Sequence, residues 1–283
     1  VNLSATSDSN ITYSNTTILP TGTSLLSNGY FYGTVSVGVQ TAYSFTVDAK
    51  DAENQDALRT FSLTVVVNPT PGLYVWGRNQ NGQLGTNDVT LRSSPVLVDS
   101  SSSWTSINSG TYVLYYIKSN GTLWSVGKNT QGQLGLNDTV NRSSPVQVGS
   151  SSWTSVSAGG THTLGVKTDY TLWAWGNNSN GQLGISTTIN RSSPVQVGAS
   201  SWSAISGSGT GHALAVTSDG KLFAWGINTA GQLGDNTAVS KSSPVQIGTL
   251  NNWKTAYKVY GSVFAIDNTN KLYQLLEPSQ HNV

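Results

Sequence analysis

The stretch Trp175-Gly176-Asn177-Asn178-Ser179-Asn180-Gly181-Gln182-Leu183-Gly184 decides the fold, because its closing Gly-Gln-Leu-Gly recurs at Gly82–Gly85, Gly132–Gly135 and Gly231–Gly234. The first glycines fall 50, 49 and 50 residues apart. Self-similarity at a fixed period of that size marks a repeat architecture. Downstream of each copy comes Ser-Ser-Pro-Val, starting at Ser93, Ser143, Ser192 and Ser242, and then a lone tryptophan: Trp104, Trp153, Trp202 or Trp253. Upstream lies an apolar segment: Leu73–Trp76, Leu123–Val126, Leu172–Trp175 and Leu222–Trp225. A fifth, Leu272–Leu275, has no Gly-Gln-Leu-Gly after it.

Each period reads as four short strands. The first carries the lone tryptophan. The second is His162–Val166, matched by Tyr112–Tyr116, His212–Val216 and Val263–Asp267. Asn120-Gly121 and Asp219-Gly220 supply hairpin turns. The third strand alternates Trp173 and Trp175 with Leu172 and Ala174, so both its faces are apolar. The fourth is Ser-Ser-Pro-Val, whose proline restricts it to an edge or a strand start. A sheet dry on both faces must be covered on both, and four-stranded sheets stacked about a hub make a β-propeller. Stacked solenoid coils are the rival, with repeats normally shorter than about 50 residues.

The pattern Trp175-Gly176-x-Asn178-x-x-Gly181-Gln182-Leu183-Gly184, preceded by Gly160-x-His162-Thr163-Leu164, resembles the repeat of the regulator of chromosome condensation family. The resemblance implies a propeller, in that family usually seven-bladed, over residues 73–276. It departs at Val126-Gly127, where Trp-Gly is expected, and at Tyr112 and Val263, which stand for the repeat histidine. At about 50 residues per blade the stretch holds four to five blades. Either the ring is small, or it is open, or more chain or another subunit completes it; a missing continuation is the leading expectation.

Residues 1–68 lack the repeat. Tyr43, Phe45, Val47 and Ala49 alternate with polar residues, as do Phe61, Leu63, Val65 and Val67. These predict two half-buried antiparallel strands. Leu19-Pro20-Thr21-Gly22, Gly33-Thr34 and the two alternating runs resemble immunoglobulin-like, cadherin-like domains, which implies a small β-sandwich; in that family a strand normally precedes the equivalent of Val1–Ser7, so the front strand is expected to be missing. Residues 69–72 form a proline-stiffened linker and 277–283 a polar tail. The fold class expected is all-β, a β-sandwich followed by a propeller.

Composition narrows the function. Among 283 residues, 14 are basic and 13 acidic, so charged residues make up 10% against about 25% in ordinary soluble domains. A net charge of +1 gives no electrostatic footprint for nucleic acid or anionic membrane. Cysteine is absent, which removes disulfides, thiolate nucleophiles and Cys-ligated zinc. No apolar run approaches the roughly 20 residues of a membrane span. Nine tryptophans and twelve tyrosines argue against disorder. A surface of Ser, Thr, Asn and Gly suits a protein outside the cytosol, packed beside many neighbours.

Catalysis needs a proton-transfer group or nucleophile beside a partner. His162 and His212 occupy equivalent repeat positions and read as structural hydrogen-bonders, and His281 as a solvated tail residue. Gly82, Gly85, Gly132, Gly135, Gly181, Gly184, Gly231 and Gly234 follow a strand and open no helix, so they read as structure and not as a phosphate cradle. Arg92, Arg142, Arg191 and Lys241 read as donors to neighbouring loops, and Asp48, Asp51, Glu53 and Asp56 as a solvated turn. No metal, cofactor or enzyme activity is expected. The best binding candidates are departures from the repeat that the fold does not require. Tyr112, Tyr115 and Tyr116 replace other residues of the second strand, and Tyr170 replaces the turn glycine.

A cadherin-like spacer before regulator-type repeats, poor in charge and free of cysteine, resembles appendage and fibre proteins of tailed phages. The first expectation is a non-enzymatic structural or adhesive virion protein. It would assemble in many copies with other virion or surface proteins and contact a host-surface glycan or protein. The alternatives are a bacterial or archaeal cell-surface binding protein, and an intracellular regulator of exchange-factor or inhibitor type.

Overall fold

The computed structural model describes residues 10–33, 41–65, 72–101, 103–207, 209, 211–259 and 262–275. The chain divides into two units, Val1–Thr70 and Pro71–Val283. Every regular element among the described residues is a β-strand. Residues 1–9, before which the front strand is expected to be missing, linker residues 69–71, and the tail 277–283 with His281 lie outside the described residues.

The first unit holds β1 (Thr12–Asn15), β2 (Thr23–Leu25), β3 (Phe31–Gly33), β4 (Thr41–Lys50) and β5 (Asp56–Val65). β2 and β3 form a hairpin, while β1, β4 and β5 make a sheet with β4 central. The alternation read from the sequence places Phe45 and Val47 inside. Phe45 stacks on Phe31 at 5.1 Å and on Phe61 at 5.9 Å, the offset geometry that aromatic pairs favour.

The second unit is an array of sheets, numbered here as blades I to V. Blade I contains β6 (Leu73–Gly77) and β7 (Arg92–Asp99). Blade II contains β8 (Trp104–Ser109), β9 (Val113–Lys118), β10 (Thr122–Gly127) and the first half of β11 (Arg142–Ala158). Blade III takes the second half of β11, β12 (His162–Lys167), β13 (Thr171–Gly176) and the first half of β14 (Arg191–Gly207). Blade IV takes the rest of β14 with β15 (His212–Thr217), β16 (Leu222–Gly226) and β17 (Lys241–Gln246). Blade V has β18 (Trp253–Val259), β19 (Ser262–Asp267) and β20 (Leu272–Leu275). All pairings are antiparallel between neighbours in sequence, and blades I and V are not paired with each other.

Two features differ from the sequence reading. The Ser-Ser-Pro-Val strand and the lone-tryptophan strand were expected to be separate, but in β11 and β14 they run on as single 17-residue strands. Pro145 and Pro194 fall in the halves that pair on one side only, where no ladder bond is lost. The second strand of blade II is also shifted by one residue. Val113 faces Gly127 as His162 faces Gly176 and His212 faces Gly226. Val113, and not Tyr112, therefore stands in the histidine place. By the same register Val263 faces Leu275 as Thr163 faces Trp175, which moves that place to Ser262 in blade V.

The core lies between sheets, as two dry faces require. Leu164, Val166, Leu172 and Ala174 of blade III bury Trp202, Ala213, Ala215 and Trp225 of blade IV. Tyr115, Ile117 and Leu123 of blade II likewise meet Trp153 and Trp175, and Leu214 and Leu222 of blade IV meet Trp253 and Ala265. A fully buried Leu, Phe or Val side chain contributes about 1.5–3 kcal/mol, so these joints are the array's main source of stability.

Candidate functional site

The Gly-Gln-Leu-Gly loop is built as a joint. Asn79, Asn129, Asn178 and Asn228 are fully buried, and the Oδ1 of each accepts the backbone N–H of the loop leucine at 2.8–2.9 Å. Their Nδ2 groups donate to carbonyls further along the same loop. The glutamine carbonyl then meets the next blade: Trp175 Nε1 donates to Gln133 O at 2.9 Å and Trp225 Nε1 to Gln182 O at 3.0 Å. The asparagine recurs three residues before each motif, a signal in the sequence to which no role had been given.

The four tyrosine candidates separate. Tyr115 and Tyr116 are fully buried between blades. The Tyr115 hydroxyl donates to Gln133 O and shares a hydrogen with Thr163 Oγ1 at 2.9 Å; Tyr116 packs on Trp104 at 5.2 Å. Burial raises both phenols above their ordinary pKa. Their reading as binding residues is corrected: extra aromatic volume here fills a joint. Tyr112 sits at the loop end of blade II, with Arg78 and Lys128 over its ring at 5.8 and 5.2 Å. Tyr170 sits at the opposite, turn end of blade III, 58% exposed, with φ of 65°. A non-glycine residue held there carries roughly 1–3 kcal/mol of strain.

The turn end also shows what departure from the repeat can open. In blade II Lys118 lies 4.5 Å from the Trp104 ring and 5.0 Å from Trp124; in blade III Lys167 lies 5.4 Å from Trp153 and 3.4 Å from Trp173. Burial pulls the Lys167 ammonium below its usual pKa, against the pull of Asp169. Blade IV keeps an aromatic pair, Trp202 and Phe223, 5.4 Å apart, but has Thr217 in place of the lysine. A pocket of about 310 Å³ opens there over Phe223, walled by Ser200, Ser201, Thr217 and Ser218, with Asp219 and Lys221 at its rim. Lys221 Nζ meets Asp219 Oδ2 at 2.6 Å and Thr217 Oγ1 donates to Asp219 Oδ1 at 2.5 Å. These partners, Lys221 foremost, hold the Asp219 carboxyl below the usual carboxylate range. Tyr170 is not among the residues that line the pocket; its neighbour Thr171 pairs with the lining residue Ser201, and its carbonyl accepts Trp202 N–H at 2.9 Å. One aromatic floor, a ring of hydroxyls and one group of each charge suit a sugar ring.

The remaining candidates are structural. His162 and His212 are buried. Neither ring nitrogen of His162 meets a hydrogen-bond partner among the described residues, so the hydrogen bond expected of it is not made. Arg92 and Arg142 pair with Asp88 and Asp138 at 2.5 Å, and Lys241 with Asp235 at 3.4 Å. Arg191 has Thr187 in the acid's place and makes no ion pair among the described residues. In the first unit Asp56 meets Lys50 at 3.2 Å, and Asp51 Oδ1 accepts Gln55 N–H at 2.8 Å.

The regulator of chromosome condensation (RCC1) repeat matches residues 72–115, 120–166, 171–216 and 219–262, and a second form of that repeat matches 153–182 and 202–232. The family described as "Putative Ig domain" matches residues 1–66. Human WBSCR16 is similar in structure, with TM-score 0.63 and 21% identity over 76% of this chain and 58% of that one. Yeast RCC1 (Prp20), solved with Kap60, gives TM-score 0.62 and 15% identity over 83% of this chain and 68% of that one. Prp20p from Saccharomyces cerevisiae, described with its binding to Gsp1p and histones, gives 0.59 and 16% over 90% and 60%. At such identities the likeness is one of fold. The chain spans 58–68% of the length of these three structures. No curated protein matches it by sequence.

Proposed function

We propose, starting from the fact that the chain belongs to the regulator of chromosome condensation (RCC1) repeat family and carries an Ig-like domain before the repeats, that it is a non-enzymatic adhesive protein of a bacteriophage virion whose propeller blades hold a glycan site. The observation that carries the glycan reading is the pocket over Phe223 in blade IV, where Thr217 stands in place of the lysine of blades II and III. A neutral surface of hydroxyls and amides fits repeated weak contacts, which multivalent display turns into firm attachment. The virion setting is supported by composition and by the pairing of modules.

Two measurements test this reading. Titration of purified chain against a panel of neutral and acidic monosaccharides, followed by NMR, should shift amides at Ser201, Ser218 and Phe223 with millimolar affinity. Thr217→Lys, which fills the slot as blades II and III do, should abolish the shifts and leave the fold intact. Binding undiminished by Thr217→Lys would remove the site. Mass spectrometry of purified particles from the source of the gene should find the chain in many copies; its absence from particles would remove the virion setting. The intracellular-regulator reading is favoured by one observation, the fold shared with yeast Prp20p, and predicts retention of one soluble partner on a column of the chain.

A further inference from the structure

The fourth strand of blades I to IV opens on a cation, Arg92, Arg142, Arg191 or Lys241. Three of the four have an acid in the preceding loop. In blade I Arg92 meets Asp88 Oδ2 at 2.5 Å, while Asp88 Oδ1 accepts the Thr90 N–H at 3.0 Å, the Thr86 hydroxyl at 2.9 Å and Asn79 Nδ2 at 3.1 Å. Blade II repeats this seat. Arg142 meets Asp138 Oδ2 at 2.5 Å, and Asp138 Oδ1 accepts the Val140 N–H and Asn129 Nδ2, both at 2.9 Å. These donors, the backbone N–H foremost, hold both carboxyls below their usual range. In blade IV Thr237 takes the acid's place, but Asp235 enters from two residues earlier and meets Lys241 at 3.4 Å.

Blade III keeps the loop and lacks the acid. Asn178 Nδ2 donates to the carbonyls of Thr187 at 2.8 Å and Ile189 at 3.1 Å, as Asn79 Nδ2 does to those of Asp88 and Thr90 at 3.0 and 3.1 Å. Asn190 is held on both sides: its Oδ1 accepts the Asn178 N–H at 2.8 Å, and its Nδ2 donates to Gln131 Oε1 of blade II at 2.9 Å. Yet Thr187 stands where Asp88 and Asp138 do, and Ile185 where Asp235 does. Threonine ends one bond beyond Cβ and aspartate two, so Thr187 cannot supply the acceptor that the other loops supply. Among the described residues the Arg191 guanidinium and the Ile189 N–H meet no acceptor, and Thr187 Oγ1 is buried without a partner. Blade III lies between the four-stranded blades II and IV, so the mismatch belongs to the loop's own sequence.

We propose that the blade III loop binds a carboxylate supplied from outside the chain, gripped by the Arg191 guanidinium and the Ile189 N–H as Asp88 and Asp138 are gripped in their own loops. A flat, two-oxygen anion suits this pair, because guanidinium donors project in one planar fork. Exposed ion pairs are weak, so the contact is of the millimolar kind that gains strength from many copies. Acidic sugars and free small acids both carry the group. The seat shares no residue with the pocket over Phe223, so either can fail alone.

NMR titration of the full 283-residue chain at constant ionic strength tests this, with sodium glucuronate, sodium acetate and glucose as probes. The acids should shift the Ile189 amide and the Arg191 side-chain N–H, with saturation at millimolar concentration, and glucose should not. A response to both acids assigns the seat to the carboxylate alone, one to glucuronate only assigns it to a sugar acid, and one to acetate only to a small free acid. Thr187→Asp, the residue that blades I and II already carry, should weaken binding by about tenfold or more, the worth of one hydrogen bond to a charged group, with an unchanged circular dichroism spectrum. Arg191→Gln should do the same. No shift at Ile189 with either acid, an equal shift with glucose, or binding undiminished in Thr187→Asp would each overturn the proposal.

Discussion

A neutral imidazole sealed inside a sheet joint makes the fold sensitive to acid. Burial pushes the His162 pKa down to about 4, while an exposed histidine titrates near 6.5. Between those values the unfolded chain holds a proton that the folded chain does not. The stability from keeping His162 neutral is therefore complete above about pH 6.5 and is lost as the pH falls toward about 4. At pH 5 the loss is about 2 kcal/mol. Val113 fills the same place in blade II, so His162→Val is a substitution the repeat already carries. It should narrow the gap between urea midpoints at pH 7 and pH 5; a gap of unchanged width would assign the acid sensitivity to another group.

The connecting loop explains why its two glycines recur. A Cβ on Gly181 would lie 2.5 Å from Ser242 Cα, and one on Gly184 would lie 2.7 Å from Trp225 Nε1, both at positive φ. Each glycine is a point where one blade touches the next. Gly234 has a similar φ of 72°, yet its nearest neighbour is Ile247 Cγ2 at 3.7 Å. Gly184→Ala should then cost about 3 kcal/mol from backbone strain and overpacking together, and Gly234→Ala about 1 kcal/mol from strain alone. Thermal unfolding of the two variants checks the ranking, and equal costs would mean that the indole contact is without consequence. The period, the dry faces and the joints were legible because the same residues make the same contacts in successive blades. The Tyr115–Tyr116 pair was misread because strand register is set by pairing to Gly127, which aligning aromatics does not reveal. The pocket left no mark in the pattern, since it arises from volume that Thr217 does not occupy.

Across the whole array each blade touches only its neighbours, so stability accumulates joint by joint. Blade III is covered on both sides, whereas β6 and β20 lie at the ends. Among the described strands, hydrogen exchange should be slowest in β12 and β13 and fastest in β6 and β20; uniform protection would show one cooperative block instead of additive joints. The 17-residue strands β11 and β14 carry a last consequence. Gly149 and Gly198 lie in mid-strand at φ of 57° and 58°, with nothing within 4 Å of where a Cβ would be. A gene rearrangement that splices at one such glycine and rejoins at the next would add or delete a complete 49-residue segment, and both scars would fall inside ladders whose flanking residues already match. Ancestral gain and loss of blades by unequal recombination would therefore require no new interface to evolve.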